Sequence, residues 1–348
     1  MGYIRASIPR SFNDKFWQIM ASIKDVAQLA GVSVATVSRA IAMPEKVSEK
    51  TLKKVHQAVA QSGYRPNLLA RNFRSSRSYC IVVMVPDITN PFFSQVIKAI
   101  EDRAQQRGYA VLLGDTRDLH DREQEYVKRV ETRLADGLIQ LRPKAVQIEG
   151  SPVPIVYACG CSNVPDCSVT IDNAQAAKKL VSYLASLGHT RIGCLTGLRE
   201  NPHAIERLTG YKEALAEAGI AVQDQYIIEG DFTLGSGQDT AQQIMRLANP
   251  PTALFCMSDQ MAMGAIQALQ AQGIKVPEQV SVVGFDNIAY SEFWHPSITT
   301  ISQPADEVGK RAVDMLLAMI EDHELTVASK ILPTQLIVRE SSGPAPQD

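Results

Sequence analysis

The run from Ile23 to Ala40, IKDVAQLAGVSVATVSRA, constrains the fold more than any other part of the chain. Ser22 can cap a first helix, and Asp25 follows three residues later, where its carboxylate can reach back to free backbone N–H groups. Gly31 ends that helix, because glycine accepts the left-handed conformation of a tight turn. Ser33 can then cap a second helix. The pattern predicts two short helices joined by a tight turn.

Apolar residues at helical spacing predict a small core behind this pair of helices. We expect the inward positions to be Val26, Ala27, Leu29, Ala30, Val37 and Ala40. A third helix is predicted from Ser48 to about Ser62, ending at Gly63. It would close the core with Leu52, Val55, His56 and Val59, and His56 is expected to pack there rather than to bind a ligand.

Charge is distributed unevenly along the 348 residues, although the net charge is only −2. Residues 22–78 carry ten Lys and Arg against three Asp and Glu, whereas residues 79–348 carry 22 against 33. The basic segment would attract phosphate and coincides with the helix-turn-helix. The length suits two or three domains, and no run of 18 apolar residues indicates a membrane span.

The run IKDVAQLAGVSVATVSRAI and the following KVSEKTLKKVHQAVAQSGYRPN resemble the headpiece of the LacI/GalR family of bacterial repressors. The resemblance extends from about Ser22 to about Glu340 and is greatest to the branch of purine and cytidine repressors. It implies an N-terminal all-α helix-turn-helix headpiece and an α/β core of two doubly wound parallel-sheet lobes, as in periplasmic binding proteins.

The core pattern agrees with that implication, because strand and helix patterns alternate after residue 79. The first series predicts strands CIVVMV, YAVLLGD and DGLIQL, with helices from about Pro91 to Arg107 and from about Asp121 to Leu134. A second series predicts strands RIGCLTG, QYIIEGD, TALFCMS and SVVGFD. Its predicted helices are AAKKLVSYLASLG, ERLTGYKEALAEAG, one after Gly237 and one over Gln260–Gln272. The family implies that a last helix, about Ala305 to Asp322, and strand QLIVRE cross back between the lobes.

These patterns divide the chain into segments. We expect an extension (1–21), the headpiece (22–66), a hinge helix and linker (67–78), the core N-lobe (79–174 and 302–328), the core C-lobe (175–301 and 329–342) and a tail (343–348). Met20 resembles the usual start of family members, so residues 1–19 are interpreted as upstream translation or a mobile tail, and they lack the features of a secretory signal.

The resemblance assigns DNA contacts to the second helix and the hinge. In the second helix they are Ser33, Val34, Ala35, Thr36, Ser38 and Arg39; in the hinge they are Asn67, Leu68, Ala70, Arg71, Phe73 and Arg74. Val34 and Ala35 can offer only apolar contacts, for example to thymine methyl groups, whereas Arg39 could reach guanine. Phe73 stands where relatives insert a leucine between base pairs; packing on the core is the alternative.

Ligand contacts are expected at the strand ends of the core. Phe92 and Phe93 follow the first strand, where they could stack on a nucleobase or sugar ring, with one ring seated in the N-lobe core as the alternative. The resemblance completes the expected effector site, which comprises Asn90, Phe92, Phe93, Asp172, Asn201, His203, Arg207, Phe232 and Asp286. His203 could equally be a surface histidine, and Asp259 is expected to be a structural helix cap.

One departure concerns the stretch between Gly137 and Pro154, which is about ten residues shorter than in purine-repressor relatives. A truncated N-lobe helix there would affect local stability or the dimer surface. The six cysteines, Cys80, Cys159, Cys161, Cys167, Cys194 and Cys256, form no CxxC pair and are interpreted as buried thiols in a reducing cytosol. No cofactor or metal is expected.

The function implied is a cytoplasmic, nucleoid-associated transcriptional regulator rather than an enzyme. It would be a homodimer that binds operator DNA and a small effector, for which a nucleoside such as cytidine is favoured. The resemblance also implies a partner activator protein. The alternatives are a sugar-responsive repressor, a regulator that has lost ligand control, a binding protein without regulatory role, and a nucleoside-processing enzyme. No nucleophile–base pair or GxGxxG supports the last of these.

Overall fold

The computed structural model describes residues 21–64, 77–142, 146, 153–159, 167–322 and 327–347. Two compact units share the chain, one up to Ser76 and one from Arg77 onward. The predicted hinge helix, residues 1–20 of the predicted extension and most of the shortened stretch between Gly137 and Pro154 lie outside the described residues.

The headpiece consists of α1 (Ile23–Ala30), α2 (Val34–Ala42) and α3 (Glu49–Ser62). Ser22 and Asp25 form the predicted reciprocal cap of α1, and Gly31 adopts φ 65° at the turn. The predicted Leu52 and Val59 pack as partly buried residues against the core of this unit. The buried residues of that core are Val26, Ala27, Ala30, Val37, Ala40, Val55 and Ala58.

Two predictions for the headpiece interior are wrong. Leu29 is 57% exposed, because Val26, Ala27 and Ala30 already fill the inward stripe of α1. His56 is exposed on α3, where the small side chain of Ala58 takes the buried position instead.

The N-lobe is built on a six-stranded parallel sheet in the order β11-β5-β4-β3-β1-β2. Its strands are β1 (Cys80–Val85), β2 (Ala110–Asp115), β3 (Gly137–Gln140), β4 (Ile155–Ala158), β5 (Ser168–Ile171) and β11 (Lys330–Leu332). The helices on it are α4 (Pro91–Gln106), α5 (His120–Glu131) and α11 (Ala305–Glu321). Strand β1 is apolar throughout because both faces are covered: Ile81 and Val83 pack in the same cluster as α4 residues, and Val82 packs with α5.

The C-lobe repeats this plan on a four-stranded parallel sheet in the order β7-β6-β8-β9. Its strands are β6 (Ile192–Thr196), β7 (Ile227–Glu229), β8 (Ala253–Cys256) and β9 (Ser281–Val283). Its helices are α6 (Asn173–Ser186), α7 (Pro202–Glu217), α8 (Leu234–Ile244), α9 (Asp259–Ala271) and the short α10 (Ala289–Phe293). Beside it, β10 (Thr300–Ser302) pairs antiparallel with β12 (Gln335–Ile337).

The structure corrects two boundaries. Helix α8 begins at Leu234 rather than after Gly237, because Gly237 does not break the helix: a Cβ there would lie 2.2 Å from the Met261 carbonyl oxygen, so the glycine lets α8 and α9 pack closely. The predicted C-lobe segment 329–342 begins too early, since β11 pairs with β5 and belongs to the N-lobe sheet. The two-lobed fold itself is confirmed.

Candidate functional site

The second headpiece helix, α2, presents an exposed N-terminal turn. The Ser33 side chain caps it by accepting a hydrogen bond of 3.1 Å from the Thr36 backbone N–H. Val34, Ala35 and Arg39 are exposed, while Thr36 and Ser38 are half-buried. An apolar pair at the helix start and an arginine about one turn later form a surface that can contact thymine methyl groups and guanine acceptors in a major groove.

The second half of the predicted DNA contacts falls outside the described residues. These are the hinge positions Asn67, Leu68, Ala70, Arg71, Phe73 and Arg74. The proposed wedge role of Phe73 therefore stays a prediction.

In the second unit, a cavity of about 470 Å³ lies at strand ends of both lobes. In each lobe the first and third strands are neighbours with the second strand on the outside, so helices leave the two strands in opposite directions and open a crevice at their carboxyl ends. Pro86 and Arg142 line the cavity after β1 and β3, and Leu198 and Ser258 line it after β6 and β8.

The cavity brings together eight of the nine effector residues expected from the sequence: Asn90, Phe92, Phe93, Asn201, His203, Arg207, Phe232 and Asp286. Asp172 stands apart from this lining. Its exposed carboxylate accepts a hydrogen bond of 2.8 Å from the Gln175 N–H and so caps α6. Its sequence position at a lobe crossover therefore reflects a capping role.

Two aromatic rings form part of the N-lobe side of the cavity. The rings of Phe92 and Phe93 lie 5.6 Å apart at 57° to each other. Phe92 is buried in the N-lobe core, whereas Phe93 is half-buried, so Phe93 offers more ring surface to a ligand. This division matches the alternative in which one ring is seated in the core.

Arg207 is the centre of a buried polar network on the C-lobe side. It is 5% exposed; its Nε donates to Asn173 Oδ1 at 2.9 Å, and a terminal nitrogen donates to the Met257 carbonyl. Its Nη2 lies 3.7 Å from Asp286 Oδ1, and its guanidinium lies 3.6 Å from the centre of the Phe285 ring. Four partners fix the orientation of this cation before any ligand arrives.

Asp286 faces the cavity from the end of the β9 strand segment. It is 8% exposed, and Gln303 Nε2 donates to its Oδ1 at 2.6 Å. Burial raises the pKa of Asp286 to about 6, although Arg207 and Gln303 favour the ionised form. Gln303 follows β10 and precedes α11, so this hydrogen bond joins the C-lobe carboxylate to a segment that leads into the N-lobe.

Each lobe also contributes the start of a helix that begins with Asn-Pro. Asn90 caps α4 by accepting from the Phe92 N–H at 3.0 Å, and Asn201 caps α7 by accepting from the His203 N–H at 2.9 Å. Burial, with Arg207 nearby, lowers the pKa of His203 to about 3, so its imidazole is neutral at pH 7. A neutral imidazole can donate from one nitrogen and accept at the other.

Phe232 lies over the end of β6 in a left-handed conformation with φ 70°. A Cβ on Gly197 would come within 2.0 Å of its ring, so Gly197 provides the space in which the ring lies. Ser258 donates a 2.9 Å hydrogen bond to the Phe232 carbonyl and holds this backbone in place.

Sequence reasoning missed several lining residues, of which Arg142 is the clearest. Its guanidinium pairs with Glu123 and lies 3.1 Å from Asp118 through Nε. Gln260, Gln303 and Cys159 were also missed. Ligands in parallel sheets bind at the carboxyl ends of strands, so Arg142 could have been identified because it directly follows the predicted strand DGLIQL. Gln303 follows β10, a strand that the sequence did not predict.

Asp259 was expected to cap α9, and that assignment is wrong in detail. Ser258 is the cap residue, accepting from the Met261 N–H. The buried Asp259 carboxylate instead accepts from the Ile288 N–H at 2.8 Å and from Thr300 Oγ1 at 2.6 Å. It is structural, joining α9 to the segments around β9 and β10.

Within the described ranges, no group of three or more His, Cys, Asp or Glu side chains is placed to hold a metal ion. The described cysteines are free thiols, and Cys161 lies outside the described residues. Among the helices of the described ranges, none combines the length and apolar character required to cross a membrane.

Comparison with known proteins places both units. Residues 22–67 match the family model described as bacterial regulatory proteins, lacI family, and residues 181–342 match a periplasmic binding protein-like domain. The chain is 41% identical over 334 residues to the HTH-type transcriptional repressor CytR of Escherichia coli K12, covering 94% of this chain and 97% of the relative. It is 36% identical over 312 residues to the HTH-type transcriptional repressor PurR of Vibrio atlanticus, covering 88% and 93%.

A solved structure shows the same architecture. The lac repressor dimer bound to operator and the anti-inducer ONPF superposes with a TM-score of 0.85 at 30% identity, over 93% of this chain and 99% of the other.

Proposed function

We propose that a nucleoside controls the operator affinity of this chain. The chain belongs to the LacI family, and it is a DNA-binding transcriptional repressor rather than an enzyme. The observation that carries the proposal is the cavity between the lobes, where the half-buried ring of Phe93 and the polar pair Arg207 and Asp286 line one space. Its volume of about 470 Å³ suits a small organic ligand.

The lining of the cavity offers partners for both parts of a nucleoside. A flat nucleobase can stack on the Phe93 ring, and a second ring is available from Phe232. The hydroxyls of a ribose can donate to the Asp286 carboxylate, whose geometry is fixed by Gln303. The sequence resemblance to cytidine and purine repressors supports the same ligand class.

Operator recognition is assigned to α2. We infer that the protein acts as a homodimer, with one headpiece for each half of a near-palindromic site, as the operator-bound lac repressor dimer suggests. Effector affinity and operator affinity must then be coupled reciprocally. The Asp286–Gln303 hydrogen bond supports a route for this coupling. A ligand that binds Asp286 would change this hydrogen bond and so shift the segment that leads into α11.

Calorimetric titration tests the effector class. Purified protein is titrated with cytidine, adenosine, hypoxanthine, ribose and galactose, and micromolar binding of a nucleoside is expected. Asp286→Asn should abolish that binding, and Asp224→Asn, which removes an exposed carboxylate outside this cavity, should not. Heat from galactose or ribose alone would assign the protein to a sugar-responsive branch and overturn the nucleoside proposal.

Operator binding needs a separate test. DNA fragments selected by the protein from a random pool are sequenced, and their affinities are measured by fluorescence anisotropy with and without nucleoside. Arg39→Ala is expected to relax base preference at one position of each half-site by about 1–3 kcal/mol. An unchanged preference would contradict the assignment of Arg39. We also propose a partner activator protein. It would be tested by selecting DNA fragments in its presence and looking for a second binding site beside the operator.

A further inference from the structure

We propose that this cavity selects an uncharged or cationic effector and rejects its phosphate ester. The inference rests on the proposed function for the identity of the ligand, but it concerns only ligand charge. Five carboxylates line the described part of the cavity, namely Asp87, Asp118, Glu200, Asp231 and Asp286, against two guanidinium groups, Arg142 and Arg207.

Neither guanidinium is available to a new anion. Arg142 pairs with Glu123, whose side chain is 3% exposed, and with Asp118. If a phosphate drew Arg142 away, the buried carboxylate of Glu123 would lose its counter-charge, which is costly in a protein interior. Arg207 is committed in the same way to Asn173, the Met257 carbonyl and Asp286.

Two of the helix starts that line the cavity, those of α4 and α7, also offer few donors to a phosphate. A helix N-terminus attracts phosphate through its free N–H groups. Here the first residue of α4 and of α7 is a proline without an N–H, and the next N–H donates to the capping side chain of Asn90 or Asn201. Each helix start has therefore lost two of its donors.

Two of the acidic side chains are held rigidly by their own loops. Asp87 accepts from the Thr89 N–H at 2.8 Å and from Thr89 Oγ1 at 2.7 Å. Asp231 accepts from the Thr233 N–H at 3.0 Å and from Thr233 Oγ1 at 2.6 Å. Partial burial raises the pKa of Asp231, but hydrogen bonds with the Ser236 side chain and with Thr233 keep it below the ordinary value. The same Asp-x-Thr turn thus fixes a negative charge at the cavity lining in both lobes.

The test compares three ligands that differ only at the 5′ position: cytidine, cytidine 5′-monophosphate and 5′-amino-5′-deoxycytidine. The monophosphate is expected to bind about tenfold or more weakly than cytidine, and the amine at least as tightly, because like charges in a partly desolvated site repel. Raising the salt concentration should narrow the gap, since salt screens the exposed carboxylates.

Matched variants locate the effect. Removing two exposed lining charges together, Asp231→Asn with Glu200→Gln, should narrow the gap between cytidine and its monophosphate by several-fold. Asp224→Asn, an equal change outside the cavity, should leave the ratio as it is. Equal or tighter binding of the monophosphate to the native protein would overturn the proposal.

Failure of the nucleoside proposal leaves this inference testable. If no nucleoside binds, ribose and ribose 5-phosphate, and galactose and galactose 1-phosphate, provide the same comparison of charge. Inorganic phosphate serves as a probe without any organic part, and it should not raise the melting temperature of the protein above that in an equal ionic strength of chloride. Preference for a phosphorylated member of any pair, or saturable stabilisation by inorganic phosphate that is lost on Arg142→Gln, would contradict the inference.

Discussion

In the N-lobe, β1 leads into Asn90-Pro91 at the start of α4; in the C-lobe, β6 leads into Asn201-Pro202 at the start of α7. Both helices have 16 residues, and both asparagines accept from the N–H two residues later. The strand order around these helices is also the same, with the second strand outside the first and the third inside.

The two lobes differ in the side chains that follow the shared start. The N-lobe places Phe92 and Phe93 in the first turn of α4, whereas α7 carries His203 there and Arg207 one turn later. The same backbone arrangement therefore places aromatic rings in the first turn of α4 and hydrogen-bonding side chains in the first two turns of α7. The comparison teaches that local backbone chemistry positions the site, while a few side chains in the first turns decide what it can bind.

The largest expected effect comes from breaking the polar side. Arg207→Leu removes the cation that faces Asp286 and Asn173, so the free energy of unfolding should fall by about 3–5 kcal/mol, since an uncompensated carboxylate stays buried. Urea unfolding measures it, and effector heat should vanish in calorimetry. The control is Arg199→Leu, which removes an exposed ion pair with Glu229 and should cost less than about 1 kcal/mol. A similar fall in the free energy of unfolding in both variants would show that the buried network of Arg207 contributes no more to stability than an exposed ion pair.

On the aromatic side, the two neighbouring rings should separate stability from binding. Phe92→Ala empties a core position and is expected to lower the free energy of unfolding by about 3–5 kcal/mol. Phe93→Ala should cost much less stability but weaken effector binding by about tenfold, because a ring–ring contact is worth on the order of 1 kcal/mol beyond the area it buries. Thermal unfolding and calorimetry on the same samples measure both. A Phe93 variant that binds normally would place the ligand elsewhere.

The pH dependence of stability sharpens the comparison further. Burial raises the pKa of Asp286 to about 6, above its ordinary value of 3.8. Between these two values the folded protein holds a proton that the unfolded chain has released, so this group's stability contribution is present below pH 3.8 and is lost as pH rises through 6. The loss is about 3 kcal/mol.

Asp286→Asn lacks this titration. Relative to the native protein, the variant should therefore gain up to about 3 kcal/mol between pH 4 and pH 7 in urea unfolding. Effector binding to the native protein should have the opposite pH dependence to its stability. It should weaken below about pH 6, because the Asp286 carboxylate that accepts from the ligand becomes protonated. If the difference in free energy of unfolding between the variant and the native protein does not change with pH, folding does not raise the pKa of Asp286.

Much of this fold was predictable because the spacing of apolar residues along the sequence indicates which side chains are buried. The apolar strands CIVVMV and RIGCLTG and the Ser22–Asp25 cap could be identified from local chemistry alone. Leu29 and His56 were misplaced because a three-helix core is so small that a few alanines fill it. Gly237 was misinterpreted as a helix boundary because its role is a contact with Met261, 24 positions away in the sequence.

Most of the site was predictable from strand ends together with the family resemblance, whereas the pairing of its side chains was not. Eight residues assigned through strand ends and family resemblance do line one cavity, but Asp172 proved to cap α6. The commitment of Arg142 to Glu123 and of Gln303 to Asp286 requires three-dimensional neighbours, and no spacing in the sequence encodes it.

The smallest expected effect tests the shared scaffold itself. Asn90→Ala and Asn201→Ala each remove one helix cap, and each should lower the free energy of unfolding by about 1 kcal/mol. Equal costs in urea unfolding would support equal roles of the two helix starts, whereas a cost confined to one lobe would mean that the repeated Asn-Pro is a sequence coincidence. Asn90→Asp and Asn201→Asp keep an acceptor at the cap and add a negative charge beside the cavity. They should therefore restore stability while further weakening any binding of a phosphorylated ligand, which separates the capping role of these side chains from their place in the lining.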